Sequence, residues 1–164
     1  MGLVQCSFER LLKLQGTPMN SSTPLLVRSA ALLAINLLFL MVWGFAGLGK
    51  VIDGMPPWFD GKFGKTFLAT FPGLTATFWL LAISELLAFA LAIVALVRIE
   101  FLRQRPAMFL CAALAWSLFV FLQLGFGQWL TGEFNGAFQQ FMYFTGTLVA
   151  LRFAQAAARP AQAN

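Results

Sequence analysis

The stretch LTATFWLLAISELLAFALAIVALV, from Leu74 to Val97, is the strongest indication of the fold of this chain. It contains 24 residues and a single charged side chain, Glu85. A helix needs about 20 apolar residues to cross about 30 Å of bilayer hydrocarbon. The stretch therefore predicts a transmembrane helix that carries an ionisable group in its interior.

Three further stretches without charged side chains have the length of a membrane span, and they cover residues 29–49, 107–130 and 134–151. The last is the most polar, because it contains Asn135, Gln139 and Gln140. No stretch shows the alternating pattern of a membrane barrel strand. We therefore predict an all-α polytopic membrane protein, an antiparallel four-helix transmembrane bundle. Its transmembrane domain covers residues 29–152, between an N-terminal extension (1–28) and a tail (153–164).

Composition supports a membrane protein and excludes several classes of function. Of the 164 residues, 60% are hydrophobic and only 10% are charged, whereas a soluble domain has about 25% charged residues. A chain this small cannot bury so much apolar surface inside itself. The sequence has no histidine, and Cys6 and Cys111 lie far apart. We therefore expect no metal site, no covalently bound cofactor and no dithiol motif.

The distribution of lysine and arginine predicts the orientation in the membrane. In a four-span topology, eight basic residues fall on the side of the termini and three, Lys50, Lys62 and Lys65, on the other. This bias predicts that both termini are cytoplasmic. The net charge of +5 is scattered along the ends of the spans, so it indicates contact with a lipid bilayer and not with nucleic acid.

The chain before the first span lacks the apolar core of a signal peptide. Met19 is an alternative start, because Asn20 to Pro24 leads directly into the first predicted helix. We expect residues 1–18 to be a dispensable extension.

The first outer loop, Lys50 to Gly73, is the only long loop. Phe63, Phe67 and Phe71 recur at every fourth position, which predicts a short interfacial helix with one apolar stripe. The alternative is that this segment forms a lid over a cavity between the spans.

Polar side chains on three spans fall at a similar depth. From the cytoplasmic helix ends, Glu85 lies about 20 Å in, Gln139 and Gln140 about 18–20 Å, and Gln123 about 25 Å, at about 1.5 Å per residue. A buried carboxyl group in a membrane is a functional-site hypothesis by default. Two arrangements remain open: Glu85 forms an ion pair with Lys50, or a neutral Glu85 hydrogen bonds to Gln123 or Gln139 and joins helices.

Aromatic residues near this polar layer are candidates for the walls of a pocket that accepts a flat ring. They are Trp43, Phe45, Trp79 and Phe126. The alternative is that these side chains face lipid or belong to the core.

Two motifs carry a resemblance to a known family. The first apolar helix closes on Phe45-Ala46-Gly47-Leu48-Gly49-Lys50, and the next contains Glu85 in Ile83-Ser84-Glu85-Leu86-Leu87. This order resembles the DoxX family of small four-helix bacterial membrane proteins, over about Arg28 to Arg152. The resemblance implies a four-helix bundle in the bacterial inner membrane. Lys50 and Glu85 are the residues of this chain that match the distinctive positions of the family.

The resemblance also implies a link to membrane redox chemistry, because one relative is a subunit of a thiosulfate:quinone oxidoreductase and others are linked to thiol redox systems. This chain departs from thiol and metal chemistry, since it has no cysteine pair and no histidine. We therefore expect an integral membrane subunit that supports a redox or quinone-linked process, is not a complete enzyme alone, and binds a quinone or a lipid. The alternative is a structural or assembly subunit that packs against a larger membrane complex.

Overall fold

The computed structural model describes residues 23–102 and 107–158, which are helical with no strand. The expectation for residues 1–18 lies outside these ranges. Four long helices are joined by short connections and one longer loop. The long helices are α1 (Thr23–Asp53), α3 (Leu74–Val97), α4 (Met108–Leu130) and α5 (Phe134–Ala158). The longer loop contains the short helix α2 (Pro57–Phe63) and a 3-10 turn at Phe67–Ala69. The prediction of an all-α fold is confirmed.

Within the described ranges, three segments are long and apolar enough to cross a membrane: Leu25–Asp53, Leu74–Val97 and Met108–Leu130. The prediction of a multi-pass membrane protein is therefore confirmed at this level. The fifth helix, α5, has 25 residues, which is sufficient length. Asn135, Gln139 and Gln140 in its first two turns make it less apolar than the other three.

The helices pack in the order α1, α3, α4, α5, with the most extensive packing between α4 and α5, and between α1 and α3. Their shared core is apolar and contains fully buried alanines of α3, such as Ala88 and Ala95. A second, smaller cluster joins the first loop to the bundle and contains Phe59, Phe63, Leu68 and Phe78.

The buried carboxylate of Glu100 begins α4. It follows α3 in the chain, is only 3% exposed, and accepts hydrogen bonds from the backbone N–H groups of Phe109 (3.1 Å) and Leu110 (2.9 Å). These N–H groups have no partner within their own helix, and a negative charge there also interacts favourably with the helix dipole. Glu100 thus fixes the start of α4 against the end of α3.

The aromatic stripe expected in the first loop does not form. The helix α2 ends at Phe63, and the chain then turns before the short 3-10 segment. Phe63 is buried, whereas Phe67 and Phe71 are 55% and 76% exposed. Two short helical pieces therefore replace the single stripe, and the first of them packs inward.

Candidate functional site: an ion pair beneath a roofed cavity

Close packing of α1 on α3 places Lys50 next to Glu85. A Cβ atom on Gly47 would lie 3.0 Å from the Leu86 side chain and 3.2 Å from the Leu86 backbone nitrogen. The absence of a side chain at Gly47 therefore lets the two backbones approach each other at this level. One turn further along α1, the Lys50 side chain reaches the carboxylate of α3.

Lys50 donates hydrogen bonds to both oxygens of Glu85, at 2.9 Å to Oε1 and 2.7 Å to Oε2. It also contacts the Ala46 carbonyl at 3.4 Å. The Glu85 side chain is 1% exposed and that of Lys50 is 25% exposed. Of the two arrangements left open by the sequence, the structure has the ion pair. Its negative member is fully enclosed and its positive member reaches the edge of a cavity.

The other predicted polar residues are not brought together as one layer. Gln123 on α4 donates to the hydroxyl of Ser84 at 3.3 Å, so it bonds to the residue that precedes Glu85 in α3 and not to Glu85 itself. Gln139 is exposed on α5. Gln140 is half-buried, and its Oε1 has no hydrogen-bond partner among the described residues. The predicted contact of Glu85 with Gln139 is wrong, because Glu85 is buried against Lys50 whereas Gln139 is exposed on α5.

The four aromatic residues predicted to line a pocket do not lie together in the structure. Trp43 belongs to the core, where its Nε1 donates to the Ser117 hydroxyl at 2.7 Å and its ring packs on Phe121. Phe45 is 79% exposed and Trp79 is 39% exposed. Only Phe126 of the four lines the cavity.

The cavity has a volume of about 620 Å³ and lies at the end of the bundle that carries the first loop. Its walls come from the last turns of α1 and α4 and the first turns of α3, and the loop forms its roof. Apolar surface predominates, and the polar side chains are few: Lys50, Asp53, Lys62, Thr77, Gln123 and Gln128. This size and this composition are those of a small-molecule site.

The roof is held by polar and aromatic contacts. Lys62 on α2 forms an ion pair with Glu133 (2.7 Å), in the turn between α4 and α5, and contacts Gln128 at 3.3 Å. Beneath it, the Phe59 ring packs edge-on against Phe78 of α3, with centroids 5.4 Å apart. The roof therefore has aromatic packing on its inner side and one ionic contact with the turn between α4 and α5.

Sequence reasoning gave the roof only as the alternative of a lid over a cavity, and it did not identify the contacts that hold the roof in place. Phe59 and Phe63 are spaced four apart in the loop, and Lys62 and Glu133 are opposite charges at the same predicted membrane surface. These two signals together point to a loop folded back on the bundle. The interpretation as an interfacial helix used Phe63 but assigned it to the lipid-facing stripe.

No family model matches the chain, and searches of curated proteins and of solved structures found no match.

Proposed function

We propose that this chain is a DoxX-like integral membrane subunit that binds a quinone, or another uncharged flat molecule with acceptor oxygens, in the roofed cavity. The observation that carries the proposal is the cavity itself, which combines aromatic walls with a few hydrogen-bonding groups. Phe59, Phe78 and Phe126 offer faces for a ring, and Gln123 offers a donor for one of its oxygens.

Charge balance in the cavity favours an uncharged ligand. Each of its two lysines already has a carboxylate partner, Glu85 for Lys50 and Glu133 for Lys62. Asp53 adds a further negative charge to the wall. A phosphate or sulfate group would have to displace a carboxylate from its lysine. A neutral carbonyl needs only one donor, which the second N–H of the Gln123 amide can supply.

A bound quinone would supply the electron-carrying chemistry, and the chain's own residues would bind and orient it. Gln123 is fixed by its bond to Ser84, so its amide presents a donor at a defined position. The roof would cover the ring, and Lys50, held by Glu85, forms a polar part of the wall. In this proposal the chain is not a complete enzyme, and a partner protein exchanges electrons with the ligand.

We further propose that α5 is a fourth span of an antiparallel bundle in the bacterial inner membrane, that both termini are cytoplasmic, and that α2 lies at the outer interface. The charge bias supports this topology. A cysteine introduced at Gly132 should react with an impermeant reagent from outside, and one at Gln104 only after the membrane is opened. The reverse pattern contradicts the topology.

Extraction of the purified protein tests the proposed ligand. The full chain is purified in mild detergent from quinone-containing membranes, and quinone is quantified against the phospholipid background. Wild type should retain stoichiometric quinone. Gln123→Leu should bind quinone about fivefold more weakly and retain correspondingly less of it, because one hydrogen bond contributes on the order of 1 kcal/mol. Gln139→Leu, on the exposed face of α5, is the matched control and should behave as wild type. Wild type without quinone above background refutes the proposal.

A second candidate is a structural or assembly subunit, and the exposed face of α5 favours it. Asn135, Gln139 and Gly146 lie on one exposed stripe of this helix. Polar amides suit lipid poorly and interact well across a helix–helix contact. Co-purification with a larger membrane complex, with no small molecule retained, would support this candidate against quinone binding.

A further inference from the structure

Two residues line the cavity and are at the same time exposed at the side of the bundle. They are Leu80 on α3, which is 58% exposed, and Phe126 on α4, which is 49% exposed. The seam between α3 and α4 runs between them. Gln123, which also lines the cavity, lies one turn from Phe126 along the same face of α4. The cavity therefore approaches the side of the bundle at this seam.

This position lies within the hydrocarbon layer. Leu80 is six residues from the start of α3 at Leu74, or about 9 Å, and Phe126 is four residues from the end of α4 at Leu130, or about 6 Å. The 24 residues of α3 extend about 36 Å, which exceeds the hydrocarbon by only about 3 Å at each end. In a bilayer centred on α3, both side chains would therefore face lipid tails.

The seam is closed on both sides of this point. Nearer the middle of the two helices, Gln123 of α4 donates to the Ser84 hydroxyl of α3 at 3.3 Å, and Trp116 Nε1 donates to the Ser84 carbonyl at 2.9 Å. On the loop side, the Phe67 ring packs edge-on against Phe126, with centroids 6.1 Å apart. Leu80 and Phe126, which line the cavity and are both exposed, therefore lie on the part of the seam between these contacts.

From this arrangement we infer that the seam between Leu80 and Phe126 is a lateral portal. A ligand dissolved in the bilayer would enter the cavity through it, with its ring inside and its apolar tail left in the seam. The inference rests on the proposed function and names the class of ligand more narrowly: a ring with acceptor oxygens and a long hydrocarbon tail. A water-soluble ligand would instead enter at the rim, where Asp53 and Trp58 line the cavity and are exposed.

Binding of two probes to the full chain in nanodiscs tests this inference. The probes are a tritiated benzoquinone with a decyl tail and the same ring without a tail, each corrected for empty nanodiscs. Leu80→Trp fills the portal with a larger side chain. Leu87→Trp is the matched control, because Leu87 lies two turns further on the same face of α3 and does not line the cavity.

We expect Leu80→Trp to weaken binding of the tailed quinone at least tenfold while the tailless ring binds within twofold of wild type. Leu87→Trp should change neither. Equal affinity of Leu80→Trp and Leu87→Trp for the tailed probe overturns the portal but leaves the proposed function standing. Equal loss of both probes in Leu80→Trp also overturns it, because the cavity itself is then blocked. Wild type that binds neither probe refutes the proposed function and the portal together.

A second measurement uses only the wild-type chain and so does not depend on the folding of a variant. A quinone with a diazirine at the end of its tail is activated by light, and the labelled peptides are identified by mass spectrometry. Labels on the lipid-facing surfaces of α3 and α4 beside the seam support the portal. Labels confined to α1 and the loop contradict it.

Discussion

Removal of the Lys50 ammonium group tests whether the ion pair at the base of the cavity holds α1 and α3 together. In Lys50→Met the side chain keeps a similar length but loses its charge. The Glu85 carboxylate, whose side chain is 1% exposed, is then left without the group that donates to both its oxygens. We expect this variant to be clearly less stable than wild type.

The size of the effect follows from burial and distance. Two unit charges 4 Å apart attract each other by about 4 kcal/mol at an effective dielectric constant of 20. Removal of one partner of a buried pair typically costs about 3–5 kcal/mol. Because the Lys50 side chain is 25% exposed, the lower end of this range applies, and we expect a loss of about 3 kcal/mol.

A double variant separates the ion pair from other effects of the substitution. Lys50→Met with Glu85→Leu removes both charges and leaves no stranded carboxylate. Because an apolar pair often replaces a buried ion pair without loss, the double variant should recover most of the stability lost in Lys50→Met. The control is Lys62→Met, which breaks the ion pair with the more exposed Glu133 and should cost about 1 kcal/mol or less.

Reversible unfolding in mixed lipid–detergent micelles, followed by tryptophan fluorescence, measures these free energies. A non-zero coupling between the two substitutions is the expected result. If Lys50→Met is as stable as wild type, or if the effects of the two single substitutions simply add, the ion pair does not stabilise the contact and this reasoning is refuted.

Three further substitutions test individual contacts, and the same unfolding assay measures each of them. Gly47→Ala should destabilise by about 1 kcal/mol or more because its Cβ meets a neighbouring backbone, whereas Gly49→Ala, with open space around it, should be neutral. Glu100→Ala should cost about 2 kcal/mol, because it leaves two N–H groups at the start of α4 unpaired, while Glu133→Ala at the exposed roof contact should cost less than about 1 kcal/mol. Trp43→Phe should cost about 1–3 kcal/mol through its lost hydrogen bond and reduced volume, and no change would contradict its place in the core.

The sequence was most informative where hydrophobicity alone determines structure. The stretch from Leu74 to Val97 and the helix α3 have the same bounds, and α4 begins one residue after the predicted start. A membrane span needs length and apolar side chains, and both can be read directly from a sequence. The helix α1 is longer than its predicted span of 29–49, because the prediction counted only residues without charged side chains, whereas the helix continues through Arg28 at one end and Lys50 and Asp53 at the other.

The vertical position of α1 relative to α3 was not predictable from the ends of the spans. The depth estimate assumed that Arg28 and Arg98 lie at one level. In the structure, the Asn36 amide lies beside the end of α3, where it donates to the Ala92 carbonyl (3.0 Å) and accepts from the Leu96 N–H (3.1 Å) in the orientation that satisfies both groups. This shift brings Lys50 to the level of Glu85.

The positions of the glutamines and of the roof depend on rotation and tertiary contact, which hydropathy does not determine. Gln139 was assigned to the interior from its depth, but depth does not say which face of α5 carries it. The sequence did not single out Glu100, because it lies in a short charged connection between two spans. Its binding to the first N–H groups of α4 depends on where that helix begins in space.

The most direct test of ligand binding in the cavity is a solid-state NMR distance between Gln123 and the quinone. The full chain, with its glutamine side-chain amides labelled with ¹⁵N, is reconstituted with a quinone whose ring carbonyls carry ¹³C. A hydrogen bond of about 3 Å from nitrogen to oxygen puts the carbonyl carbon about 4 Å from the amide nitrogen. We predict dipolar dephasing at this distance that persists in Gln139→Leu and disappears in Gln123→Leu. Dephasing that is absent in wild type, or that survives unchanged in Gln123→Leu, would contradict binding at this site.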